Sequence, residues 1–176
     1  LEIQEVLAQR RWENKWDEFA RLAMYLKLLD PAQDFNLNKN AWMGMRSVLE
    51  KYRQNNRWAS FADFAVYLKT LDPTQDLNLD QVAVEGMRSK LEEDRSNNRW
   101  GIFFLQASDL KILGFSQDLD VDETAWKGIQ GELAEDQNDR DWGLYSAHLS
   151  TMKILNSNID LKLDQATWEK LSDELK

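Results

Sequence analysis

Three aspartates at alternate positions, Asp118, Asp120 and Asp122, have the spacing of a calcium-binding loop. A loop of that kind supplies carboxylate oxygens to a hard cation, but it also needs glycine at its sixth position and a bidentate glutamate at its twelfth. Those positions hold Glu123 and Ile129, and the matching stretch near the C-terminus carries Lys162 in its middle. Helix capping and solvation explain these acids better, so neither a metal ion nor any other cofactor is expected. The single histidine, His148, lies near Ser146 and Ser150. A serine–histidine–acid site requires its nucleophile on a sharp elbow, and that motif is absent. There is also no phosphate-cradling glycine loop and no histidine–glutamate metal motif. No catalytic residue is expected, and the chain reads as a non-enzyme.

The residues that do stand out are aromatic and periodic. Trp16, Trp58, Trp100 and Trp142 are each separated by 42 residues. Phe19, Phe61, Phe103 and Tyr145 follow the same period, as do Leu26, Leu68, Leu110 and Met152, and Leu49, Leu91, Leu133 and Leu175. Trp42, Val84, Trp126 and Trp168 form a further column, so seven of the eight tryptophans fall in two columns. A fixed period of this size marks stacked supersecondary units that share one continuous core. Each buried tryptophan covers about 150–250 Å², or roughly 4–6 kcal/mol as an upper bound. The columns therefore read as core rather than as a stacking platform for a ligand.

Each unit reads as two helices. In the second copy Trp58, Phe61, Ala65, Leu68 and Leu71 keep the i, i+3, i+7 spacing of one helical face. Asn56 is a candidate N-cap, and Asp72-Pro73 ends the helix because proline disfavours helical geometry in the residue before it. Gly114-Phe115 and Asn156-Ser157 replace that dipeptide later and suit a left-handed exit. Lys27, Lys69, Lys111 and Lys153 recur where a cation meets the negative end of the helix dipole. A short connector with Leu77 and Leu79, or Leu119 and Val121, is pinned to the core. Asn38, Asp80, Asp122 and Asp164 are the N-caps expected for the second helix. Val84, Met87 and Leu91 should form its buried face, and the polar run Glu92-Glu93-Asp94-Arg95 a solvated tail. Gly44, Gly86 and Gly128 interrupt it, where glycine costs roughly 0.5–1 kcal/mol against alanine. Their recurrence in one column predicts a close helix crossing; the fourth copy has Lys170 there.

The fold expected is all-α, an α-solenoid (an α/α superhelix) of four 42-residue helix-turn-helix repeats plus a partial repeat at the N-terminus. Residues 1–13, which align with Met43–Asn55, read as the second helix of that partial repeat. Repeats one to three are 14–55, 56–97 and 98–139, with a truncated fourth at 140–176, all in one continuous domain. The first residue is Leu1, and the chain reads as part of a longer array. The period lies in the range of HEAT and armadillo arrays, but their characteristic motifs are absent.

The formal charge is −9, from 31 acidic and 22 basic residues. No basic stripe is available for a phosphate backbone, so nucleic acid is not an expected partner. No apolar run approaches the ~20 residues a membrane helix requires, no signal-peptide pattern opens the chain, and without cysteine no disulfide framework is possible.

The most telling positions are those that do not repeat. One stripe of the first helices holds Glu18, Leu22 and Tyr25, then Ser60, Phe64 and Tyr67, then Ile102, Gln106 and Asp109, then Leu144, His148 and Thr151. A solvated face would be polar throughout, whereas apolar groups on a stable scaffold mark an interaction surface. A protein or peptide partner is expected on this stripe, through Leu22, Tyr25, Phe64, Tyr67, Ile102, Gln106, Leu144 and His148. The alternative for the stripe is a wider core. The alternative for the chain is a spacer array of a larger surface or secreted protein, with no dedicated ligand here.

Overall fold

The computed structural model describes residues 2–115, 119, 121–161, 165, 167, 169 and 170 of the 176. The protein is an all-α helical repeat array, with eight helices and no strand among the described residues. They are α1 (Glu2–Trp12), α2 (Trp16–Leu29), α3 (Lys39–Gln54), α4 (Trp58–Leu71), α5 (Gln81–Ser96), α6 (Trp100–Ile112), α7 (Glu123–Asp139) and α8 (Trp142–Leu155). Asp118, Asp120, Lys162, Asp164, Trp168 and Leu175 lie outside the described residues. The chain forms two compact units, Leu1–Arg88 and Ser89–Lys176, divided inside α5. In the first unit α2 packs on α1, α3 and α4, and α3 packs on α4. In the second, α6, α7 and α8 pack on one another. First helices of successive copies are therefore neighbours within each unit, with second helices against them.

The helix ends use one grammar in every copy. Asn14, Asn56, Asn98 and Arg140 all have positive φ, between 53° and 61°. Past each of them an amide reaches back to a carbonyl five residues earlier, as in Arg57 N–H to Tyr52 O at 2.8 Å and Asp141 N–H to Asp136 O at 2.9 Å. That is the Schellman closure of a helix C-terminus. Asn56 is thus the left-handed exit of α3 and not the N-cap of α4, whose cap position is Arg57 without a side-chain bond. The short amide side chain of asparagine tolerates this conformation better than most. Gly114 has the expected left-handed φ of 93°, whereas Asn156 is extended, like Asp30 and Asp72.

The second helices are capped as expected. Asn38, Asp80 and Asp122 accept from the amides of Ala41, Ala83 and Ala125 at 2.8–3.0 Å. The two aspartates also hold an arginine from the preceding second helix, Arg53 on Asp80 at 2.5 Å and Arg95 on Asp122 at 2.6 Å. The cap amide first, and the arginine with it, keep both carboxyls below the usual aspartate range. This stabilisation is complete above the ordinary aspartate range and fades as pH falls through the lowered one. The lysine column does more than meet a dipole. Lys27, Lys69 and Lys153 donate to the connector carbonyls of Gln33, Gln75 and Ile159, and Lys111 donates to Leu155 O.

Burial of the second helices follows i, i+4, i+8: Ala41, Met45 and Leu49 in α3, Ala83, Met87 and Leu91 in α5. Val84 is only partly buried, one position off the centre of that face. The column tryptophans Trp16, Trp58, Trp100 and Trp142 are half-buried, each edge-on to the aromatic three residues later at 5.7–6.1 Å between centroids. Their other neighbour is the glycine column. A Cβ built on Gly44, Gly86 or Gly128 would overlap the indole of Trp16, Trp58 or Trp100 respectively. The fourth copy has no glycine there, and Lys170 Nζ sits 4.9 Å from the centre of the Trp142 ring instead.

Two glycines of α7 separate this steric constraint from helix propensity. Gly128 faces Trp100, while nothing lies within 4 Å of a Cβ on Gly131. Gly128→Ala should lower unfolding free energy in urea by about 1–3 kcal/mol through overpacking. Gly131→Ala should raise it by about 0.5–1 kcal/mol.

Candidate functional site

The stripe singled out above divides into columns with different fates. Phe64, Gln106 and His148 are interior residues, only 2%, 6% and 4% exposed. Leu22 in the same column is half-buried. Each interior residue meets the end of the preceding second helix, twelve positions back in the chain. Phe64 packs edge-on to Tyr52 at 5.9 Å, Gln106 Nε2 donates to Asp94 Oδ2 at 2.6 Å, and His148 Nδ1 lies 2.7 Å from Asp136 Oδ2. These three therefore belong to the wider core. A helix of ~100° per residue carries the stripe's middle column far enough round to reach the adjacent second helix.

The acidic run at the end of α5 is corrected in the same way. Asp94 is fully buried, not part of a solvated tail. It accepts from Gln106 at 2.6 Å and Lys90 at 3.1 Å, and is ion-paired with Arg99. Burial works against the charge of Lys90, but bonds to Glu93 and Asp94 outweigh it and raise its ammonium above the usual lysine range. In the next copy Asp136 takes the histidine, whose Nε2 side fits against Gly101. A Cβ on Gly101 would come within 2.5 Å of that nitrogen and 3.4 Å of Glu132 Oε2.

The flanking columns are mixed: Thr151 is buried, Glu18, Ser60, Tyr67 and Asp109 are half-buried, and Tyr25, Ile102 and Leu144 are exposed. In the first unit Tyr25 is 51% exposed and Tyr67 half-buried; in the second, Ile102 and Leu144 are 46% and 49% exposed. The structure also brings forward residues that the sequence reading passed over. Leu105 is exposed one turn after Ile102 on α6, so the outer edge of α6 and α8 is an apolar strip. In the first unit the corresponding side of α2 and α4 is polar and aromatic. A pocket of about 150 Å³ there is lined by Asp17, Glu18, Arg21, Tyr52, Ser60, Asp63, Phe64 and Tyr67. Tyr67 donates to Asp63 Oδ2 at 2.6 Å. Asp63 itself is exposed, but partial desolvation by the surrounding pocket pushes its carboxyl up despite the Tyr67 hydrogen bond and Arg21 nearby. Burial, then the bond to Asp63, likewise raises the Tyr67 phenol. One sequence signal could have found this pair. Arg21 and Asp63 occupy a column that holds Leu105 and Ala147 in the later copies.

A larger groove of about 820 Å³ lies among α1, α2 and residues 33–36, with Leu7, Phe19, Leu26 and Phe35 in its wall. Those residues are core columns whose second-copy counterparts, Leu49, Phe61, Leu68 and Leu77, are buried. Among the described residues no group of three or more acidic or histidine side chains could hold a metal ion. No described helix is long and apolar enough to cross a membrane.

Removing the Asp94 carboxylate leaves Lys90, Arg99 and Gln106 facing one another without their acceptor. Asp94→Ala should cost about 3–5 kcal/mol of unfolding free energy, read by urea denaturation. Glu93→Ala, beside it but exposed, should leave stability nearly unchanged.

No protein-family model matches the chain, and neither a curated protein nor a solved structure matches it.

Proposed function

We propose that the chain is a non-enzymatic helical-repeat scaffold that binds a protein or peptide through the outer edge of its first helices. The observation that carries this reading is the split of the variable stripe. Its middle column is largely used up by core pairs, yet the flanking columns still expose Tyr25, Ile102 and Leu144, with Leu105 exposed beside Ile102. Nothing in the repeat grammar of caps, exits and Trp–Gly contacts requires those side chains. Tyrosine and large apolar groups at solvent are the anchor types that dominate protein interfaces. The contact set is thus Tyr25 and Tyr67 on the first unit, and Ile102, Leu105 and Leu144 on the second.

A second reading, a spacer array without a ligand, draws on the devices repeated almost unchanged from copy to copy: the Schellman exits, the Arg–Asp staples and the Trp–Gly contacts. These serve shape and solubility alone.

Affinity capture separates the two readings. A partner retained by the parent chain and lost by a Tyr67→Ser, Ile102→Ser variant of equal helicity is the result expected. Equal retention by both chains would place the site elsewhere, and no retention would favour the spacer.

A further inference from the structure

The solvent side of α6 is apolar. Ile102, Leu105, Asp109 and Ile112 fall within about 80° of one another around the helix. The three aliphatic members are 46%, 39% and 46% exposed, and Asp109 among them is half-buried. On α8, which packs on α6, Leu144 and Ile154 occupy the columns of Ile102 and Ile112 and are 49% and 37% exposed. A helix at the surface ordinarily puts polar and charged residues on this side. The repeat does not demand apolar groups there. In the first unit the columns of Ile102, Leu105 and Ile112 hold Glu18, Arg21 and Leu28 on α2, and Ser60, Asp63 and Thr70 on α4. Charge is divided just as unevenly. Ser89–Lys176 carries 18 acidic and 10 basic residues, −8 of the formal −9, whereas Leu1–Arg88 carries 13 and 12.

We infer that, on the partner-binding reading, this strip receives the apolar face of an amphipathic helix from the partner, one whose flanks are basic. Area argues against a second copy of the chain. Five side chains exposed by 37–49% supply on the order of a few hundred Å², well below the ~800 Å² per partner of a stable dimer. Charge argues the same way, because self-pairing brings together two units of −8. A lipid surface with anionic headgroups meets that repulsion too. Among the ways of holding a peptide, strand addition needs a sheet edge, and the described residues contain no strand. A polyproline segment needs an aromatic groove, whereas every exposed apolar group of the strip is leucine or isoleucine. A helix fits. Ile102 to Ile112 spans about 15 Å at 1.5 Å per residue, and a partner helix covers that length with apolar residues at i, i+3 or i+4, and i+7. Lysine or arginine beside that face then complements the acidic unit and speeds encounter.

The test pans a phage-displayed library of random peptides against the whole chain, with counter-selection on an Ile102→Ser, Ile112→Thr variant. Both replacements are the residues that α4 carries in those columns, so the repeat already accepts them; circular dichroism and urea denaturation check the variant's fold. Recovered peptides are synthesised and measured by fluorescence anisotropy. They should carry net positive charge, repeat apolar residues at helical spacing and gain helicity on binding. The variant should weaken them roughly tenfold or more, and a proline in the middle of the peptide should abolish binding. Added salt should slow association more than it speeds dissociation. Peptides that need the strip but bind without forming a helix, or that are acidic, would overturn the inference and leave the scaffold reading intact. Equal binding by parent and variant would also overturn it. So would a dimer in sedimentation equilibrium that the variant dissolves, or strip-dependent capture by phosphatidylcholine vesicles. No binding peptide at all, with the chain shown folded, would count against both the inference and the scaffold reading.

Discussion

The indole of Trp16, Trp58 or Trp100 can occupy its place only because the following second helix has no side chain at Gly44, Gly86 or Gly128. This contact sets how closely a first helix approaches the second helix of its own copy. The spacing in turn brings Phe19, Phe61 or Phe103 into the core and leaves the indoles half-buried. Glycine within a helix costs roughly 0.5–1 kcal/mol in propensity, and burial of the tryptophan more than offsets it. The fourth copy shows the alternative. With Lys170 in place of glycine, the contact to Trp142 becomes a cation over a ring rather than a filled slot.

Once that approach is set, the ends of the second helices are brought against the middle of the next first helices, and each junction fills the space differently. The second copy uses two aromatic rings, the third an aspartate with a glutamine, the fourth an aspartate with the histidine. A buried carboxylate is tolerable only when its lone pairs are satisfied, and Asp94 meets this with Lys90, Arg99 and Gln106. The aromatic junction is therefore mismatched with the two that hold an aspartate. Exchanging one partner between the aromatic junction and either of those would place a carboxylate against a ring, or strand it without that donor. The exposed members beside them, Tyr25 in the first unit and Ile102, Leu105 and Leu144 in the second, take no part in these junctions.

Much of the fold was legible because 42-residue repetition displays each column several times. The helix pairs, the N-caps Asn38, Asp80 and Asp122, and the steric role of the glycine column could all be read that way. Asn56 was misread because a left-handed exit and an N-cap favour the same residue and sit one position apart. Asp94 was misread because hydropathy along a chain cannot register a donor cluster assembled from residues four, five and twelve positions away. The same limit hid which part of the variable stripe faces inward. Phe64, Gln106 and His148 are unlike in type, and their common burial follows from partners at Tyr52, Asp94 and Asp136 in another helix. The Asp63–Tyr67 pair was visible only as a departure from its column.

The claim on which this account rests is that Gly86 is glycine because Trp58 fills the space beside it. The direct measurement is the unfolding free energy of Gly86→Ala in two backgrounds, the parent chain and Trp58→Ala. With Trp58 present the added methyl should destabilise, by about 1–3 kcal/mol. With the indole removed, the same change should reverse sign and stabilise by about 0.5–1 kcal/mol, the helix propensity of alanine over glycine. The same effect of Gly86→Ala in both backgrounds would contradict the account.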